Sequence, residues 1–185
     1  MAGAAVGAEA VAMRRLTLAR GRAGSGTRRS KVRGAMDFLS IADRVWPVTR
    51  NLMKGHTFVY RATGGLIGHR VPGLPPMMLL DHVGAKSGTK RTSPLAYLED
   101  GDKVVIVASK GGYPKNPAWY HNLRANPDTT IQVGSKRRAV RARVANAQEH
   151  KRLWPKVVER YSGFGDYQER TKRKIPLVIL EPRTR

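Results

Sequence analysis

Three short segments of this 185-residue chain gather residue types that could grip an anion or a flat ring. The first is Gly84-Ala85-Lys86-Ser87-Gly88-Thr89-Lys90-Arg91. Its glycines let backbone N–H groups approach an anion closely, its hydroxyls add donors, and cations surround them. It is not a nucleotide-binding P-loop, because Lys86 follows Ala85 rather than glycine and the upstream glycine of that motif is missing. The second is Ala108-Ser109-Lys110-Gly111-Gly112, where backbone beside two glycines could accept a phosphate or a planar ring. The third is Asn116-Pro117-Ala118-Trp119-Tyr120-His121-Asn122-Leu123, which on a helix sets Trp119 and Asn122 one turn apart on a shared face. Each segment has a plainer use as a solvated hairpin tip, a glycine turn or a core contact.

Other chemistries find little support. The chain has no cysteine, which removes disulfides, thiolate nucleophiles and thiolate metal sites and fits a cytoplasmic location. His56, His69, His82, His121 and His150 are scattered without metal-ligand spacing, so no metal site is expected. Asp81 and His82 are adjacent, and on a strand they point to opposite faces. No Gly-x-Ser-x-Gly elbow exists.

The formal charge of +22 favours an anionic partner: nucleic acid, an acidic lipid surface or a polyanionic small molecule. Residues 1–35 hold eight Lys/Arg against Glu9, so the remaining residues still carry +15. Basicity thus belongs to the folded part as well. A nucleic-acid-binding protein is the reading from charge alone, but no RNA- or DNA-binding motif accompanies it, and no nucleic acid partner is expected. Residues 1–35, rich in Ala, Gly and Arg, read as a disordered basic extension; a targeting peptide or an upstream start codon would look alike. The folded domain is expected over residues 36–185.

Apolar residues at Phe38, Ile41, Val45, Val48 and Leu52 predict a helix from Asp37 to Lys54, kinked or divided at Pro47. With Arg44, Arg50 and Lys54 opposite, it would suit either an acidic membrane surface or the protein's own core. Residues 61–76, with Gly64, Gly65, Gly68 and Gly73, read as an irregular loop. Strands follow at 77–80, 91–99 and 104–108, the second carrying Pro94 as an edge or bulge signal. A helix from Asn116-Pro117 to about Asn126 takes Asn116 as its cap. A hairpin at 129–133 and 138–145 precedes a helix capped by Asn146 with Glu149, which Pro155 should bend, and a closing strand at 177–180. Hairpins with helices inserted between them predict an α+β domain closed into a small barrel.

Together, in order, these segments resemble the deazaflavin-dependent nitroreductase and quinone reductase family. The resemblance runs from about Tyr60 to Pro182. It rests on Thr63-Gly64-Gly65, Lys86-Ser87-Gly88 with Arg91 and Pro94-Leu95, Val107–Gly112, Asn116–Leu123, Asp166-Tyr167-Gln168 and Ile175-Pro176. It implies a split β-barrel (FMN-binding-like roll) that passes hydride from reduced coenzyme F420 to a quinone or nitroaromatic acceptor; peripheral contact with the inner face of an acidic plasma membrane is what the basic helix over 37–54 would allow. It further implies that Ala85, Lys86, Ser87, Arg91, Thr92, Ser93, Pro94, Leu95 and Ala96 hold the coenzyme's phosphate and glutamyl tail. Val107, Ala108, Ser109, Lys110, Ala118, Trp119, Tyr120, His121, Asn122 and Phe164 would border its ring. Tyr161 or Tyr167 would deliver a proton, because Phe164 stands where family members often carry tyrosine and phenylalanine has no donor. An FMN enzyme of the same fold is the near alternative.

Overall fold

The computed structural model describes residues 55–70 and 75–183. The helix expected over residues 37–54, the basic extension and Gly73 lie outside the described residues. Six strands, β1 (Met77–Val83), β2 (Lys90–Asp100), β3 (Lys103–Val107), β4 (Asp128–Val133), β5 (Lys136–Val144) and β6 (Leu177–Pro182), close into an antiparallel barrel in the order β1-β2-β3-β6-β5-β4. Four helices accompany it among the described residues: α1 (residues 55–62), α2 (Ala118–Ala125), α3 (Ala147–Arg160) and α4 (Gly163–Glu169).

Alternation decides what each strand buries. Val104, Ile106 and Ala108 face the barrel interior with Met78, Leu80, Ile131, Val140, Val178 and Leu180. Val105, Leu177 and Ile179 face outward into a second cluster under Leu153 and Val157 of α3. β3 and β6 are therefore buried on both faces, which is why they read as continuous apolar runs rather than alternating ones. Trp119 and Leu123 of α2 reach into the interior cluster.

Three local expectations are corrected. The loop expected over 61–76 begins as the last residues of α1, with turns only from 63 to 68. Asn116 does not cap α2: Pro117 occupies the N-cap position, and the Asn116 Oδ1 instead accepts a hydrogen bond from Arg173. α3 runs unbroken through Pro155 from Ala147 to Arg160, started by the expected capping box of Asn146 and Glu149. The edge signal at Pro94 has a specific meaning. β2 pairs β1 through residues 90–96 but pairs β3 only from Tyr97 onward, so Pro94 lies where one side of β2 has no ladder partner from β3.

Candidate active site

That change of partner opens the barrel. Tyr97 faces Ile106, but the next residues diverge: Ala96 stays with Met77 of β1, while Ala108 bonds through its N–H to the carbonyl of Pro176. A split results between residues 91–96 and the chain leaving β3. Strand edges without a partner present backbone donors and acceptors to whatever enters. Burial pushes the phenol of Tyr97, at the closed end of the split, up to about 12, so it stays protonated there. The Tyr161 hydroxyl reaches the Tyr97 carbonyl at 3.4 Å.

At the other end of β1 and β2 stands the Lys86 turn. It is closed by Gly84 N–H to the Thr89 carbonyl and Gly88 N–H to the Gly84 carbonyl, both 2.9 Å. Gly88 has φ +64°, which favours glycine, while a Cβ at Gly84 would lie 2.5 Å from Ser87 Oγ and would make that hydroxyl turn away. Ala85, Lys86 and Ser87 are exposed, as are Lys90 and Arg91. The turn is tied to α2, because the Ala85 N–H donates to Asn122 Oδ1 at 2.9 Å. The cationic turn and the aromatic helix thus share one seam.

Strand alternation divides the run 91–96. Arg91, Ser93 and Leu95 lie opposite His82, Leu80 and Met78 on the inner row. Thr92, Pro94 and Ala96 lie on the other face, where the Thr92 hydroxyl donates to Asp81 Oδ1 at 2.6 Å. Asp81 also pairs with Arg61 at 2.6 Å and Arg137 at 3.1 Å, anchoring α1 and β5 to the barrel's outside.

Beyond Val107 the chain enters an unusual loop. Lys110, Gly111 and Gly112 all have left-handed backbone, with φ of +48°, +63° and +83°. Lys110 is the non-glycine residue with positive φ among the described residues, a conformation held only where surroundings impose it. Arg173 supplies much of that imposition. Its guanidinium donates to the carbonyls of Ala108, Ser109 and Tyr113 and to Asn116 Oδ1, at 2.7–3.0 Å. A Cβ on Gly112 would lie 2.7 Å from the Tyr167 carbonyl oxygen, so the loop abuts α4. A Cβ on Gly111 would meet nothing within 4 Å, which leaves bare backbone open to a flat partner. Ser109 is buried and Lys110 exposed, its ammonium 4.8 Å from the Tyr113 ring centre.

The expected ring-bordering residues scatter around α2. Trp119 points into the barrel; Ala118 and Asn122 lie on the flank toward the Lys86 turn. His121 is exposed. Tyr120 packs on the core and also lines a cleft of about 190 Å³ with Leu123, Arg124, Pro127, Ala142, Arg143 and Val178. Tyr161, Phe164 and Tyr167 form an edge-to-face ladder with centroids 6.3 and 5.9 Å apart beside that loop. Among the described residues no group of three or more metal-ligating side chains occurs.

Sequence reasoning passed over His82 and Arg173. His82 continues the inward row of Met78 and Leu80, a polar residue in an apolar register, and that spacing was a usable signal. Nothing near Arg173 in the sequence announces its contacts, which span 57 to 65 residues.

A closed antiparallel barrel split along β2, with a cationic glycine turn and a glycine loop of left-handed backbone beside the split, defines a split-barrel protein. A model of the F420H(2)-dependent quinone reductase family matches residues 52–182, and the chain belongs to that family. It is 49% identical over 135 residues, 71% of this chain and 91% of the relative, to an F420H(2)-dependent quinone reductase of Mycobacterium tuberculosis (strain ATCC 25618 / H37Rv). A solved F420-H2 dependent reductase aligns with TM-score 0.54 and 42% identity, covering 60% of this chain and all of that one. A solved domain-swapped dimer aligns with TM-score 0.55 and 37% identity, covering 72% and 98%. The protein is thus an oxidoreductase of a family whose coenzyme is reduced F420.

Proposed function

We propose that the chain reduces a quinone with reduced F420 laid along the split, its acidic tail at the Lys86 turn and its ring at Ser109 and Lys110. The observation that carries this reading is the split itself, flanked by the two stretches that the family resemblance gives to the coenzyme. The residues fit such a group: exposed Lys86 and Arg91 for anionic oxygens, a β2 edge that has no β3 partner over residues 90–96 for a polar tail, and bare Gly111 for a ring face. When bound, the coenzyme supplies the hydride. Ser109 and Lys110 fix the ring edge, and the Lys110 ammonium opposes negative charge building in the site. Tyr161 holds a hydroxyl at the closed end of the split and donates the proton that completes the quinol. Phe164 cannot donate, so the quinone reading is favoured over nitroaromatic reduction.

A peripheral stance on an acidic membrane accords with the same chemistry, since many quinones partition into lipid. Phe58, Leu66 and Ile67 are 74%, 91% and 56% exposed, and Arg61 and Arg70 are exposed nearby in sequence. Among the described residues no helix is long and apolar enough to cross a membrane.

The test is anaerobic mixing of the protein with reduced F420 and menadione, following the return of the deazaflavin absorbance. Turnover with menadione supports the reading. Tight binding of FMN with no F420 binding overturns it.

A further inference from the structure

We propose that His82 is a positioning residue whose ring, protonated on Nε2 alone, orients the Asn122 amide and thereby holds the Lys86 turn against α2. The argument follows from donors and acceptors. The Ala85 backbone N–H can only donate, so the atom of Asn122 that it meets at 2.9 Å must be the carbonyl oxygen. The other amide atom, Nδ2, therefore faces His82 Nδ1 at 2.9 Å, and Nδ2 can only donate. His82 Nδ1 must then be bare. A neutral imidazole without hydrogen on Nδ1 carries it on Nε2, which donates to Ser93 Oγ at 3.0 Å. The chain of bonds has one direction through Ala85, Asn122, His82 and Ser93, and it leaves the Ser93 hydroxyl hydrogen for another acceptor.

Serine, histidine and asparagine at these distances also make up a nucleophile set, but the proton order here is the reverse. Activating a serine requires a bare Nε2 to take its proton. In this chain Nε2 is the donor, so the array orients groups and does not attack. His82 and Asn122 are 6% and 8% exposed, so a lost bond is not replaced cheaply by water.

A second proton on the ring would put N–H on Nδ1 against the Asn122 NH2 group. The amide would have to turn, and Ala85 would lose its acceptor. Burial and the positive charge of Arg91, its partner across β2, hold the His82 ring below the ordinary histidine range, while Asp81 beside it on β1 works the other way. From α2 the ring meets the uncharged Asn122 amide, and from β2 the Ser93 hydroxyl. The relay is therefore whole at neutral pH and comes apart on acidification below the usual histidine range.

For the coenzyme the inference rests on the reading above; for the order of the bonds it does not. Two measurements on the full-length protein without ligand test the relay. A long-range proton–nitrogen correlation spectrum should show His82 protonated on Nε2 with bare Nδ1, and the Ala85 amide should exchange slowly with solvent. In His82→Phe that exchange should quicken, and the dissociation constant of F420 should rise about tenfold, the worth of one buried hydrogen bond. The unaltered protein should lose F420 affinity on acidification, and His82→Asn, whose carbonyl takes the place of Nδ1, should restore both readouts at neutral pH and remove that loss. A ring protonated on Nδ1, or Ala85 exchange unchanged in His82→Phe, overturns the relay. If ring and amide behave as stated but F420 does not bind, the relay stands and the coenzyme reading falls.

Discussion

Lys86 is exposed in a turn that the Ala85 N–H ties to Asn122 of α2. A charge-assisted contact to phosphate contributes roughly 1.5–3 kcal/mol. Lys86→Ala should therefore raise the F420 dissociation constant by about one to two powers of ten, read by fluorescence titration, with the melting temperature unchanged. Tyr161 offers a contrasting case. Its hydrogen bond to the Tyr97 carbonyl is long, at 3.4 Å, so Tyr161→Phe should hardly alter stability. If the hydroxyl delivers the proton, kcat should fall about a hundredfold while KM for the coenzyme moves little. An unchanged kcat would pass the role to Tyr167.

At the scale of elements, α3 covers the outer face of β3 and β6 and so supports the strand end that carries Ser109. Its start depends on Asn146 and Glu149, which satisfy each other's backbone N–H at 2.9 Å. The Arg143 guanidinium, at 2.6 and 2.7 Å, and then the Asn146 N–H hold the Glu149 carboxyl down to about 2. A carboxyl lowered by folding contributes stability above its unfolded value near 4.5, and that contribution disappears as pH falls from there to about 2. Glu149→Ala should be about 1 kcal/mol less stable than the unaltered protein at pH 7 in urea. The gap should close by pH 2; a gap that persists there would separate the cap from its charge.

For the whole molecule the charge matters more than any single contact. A net charge of +22 draws a polyanion toward the site from beyond contact distance. The association rate of F420 should fall several-fold between low and physiological salt, while the dissociation rate changes less, as stopped-flow mixing would show. A rate indifferent to salt would confine electrostatics to the bound state.

Much of this was legible beforehand because it is local. The hairpin expected over 129–133 and 138–145 forms between β4 and β5, and Asn146 and Glu149 start α3 as spaced. The glycine-bearing turns were found for the same reason, since φ preference belongs to the residue. Tertiary structure decided what could meet across the chain. Only closure of the barrel let β2 change partners at Tyr97, set Ala85 against Asn122 37 residues on, and brought Arg173 to the carbonyls of Ala108 and Ser109. Backbone and capping preferences act over a few residues and are written in the sequence; contacts between distant segments exist only once burial has drawn them together.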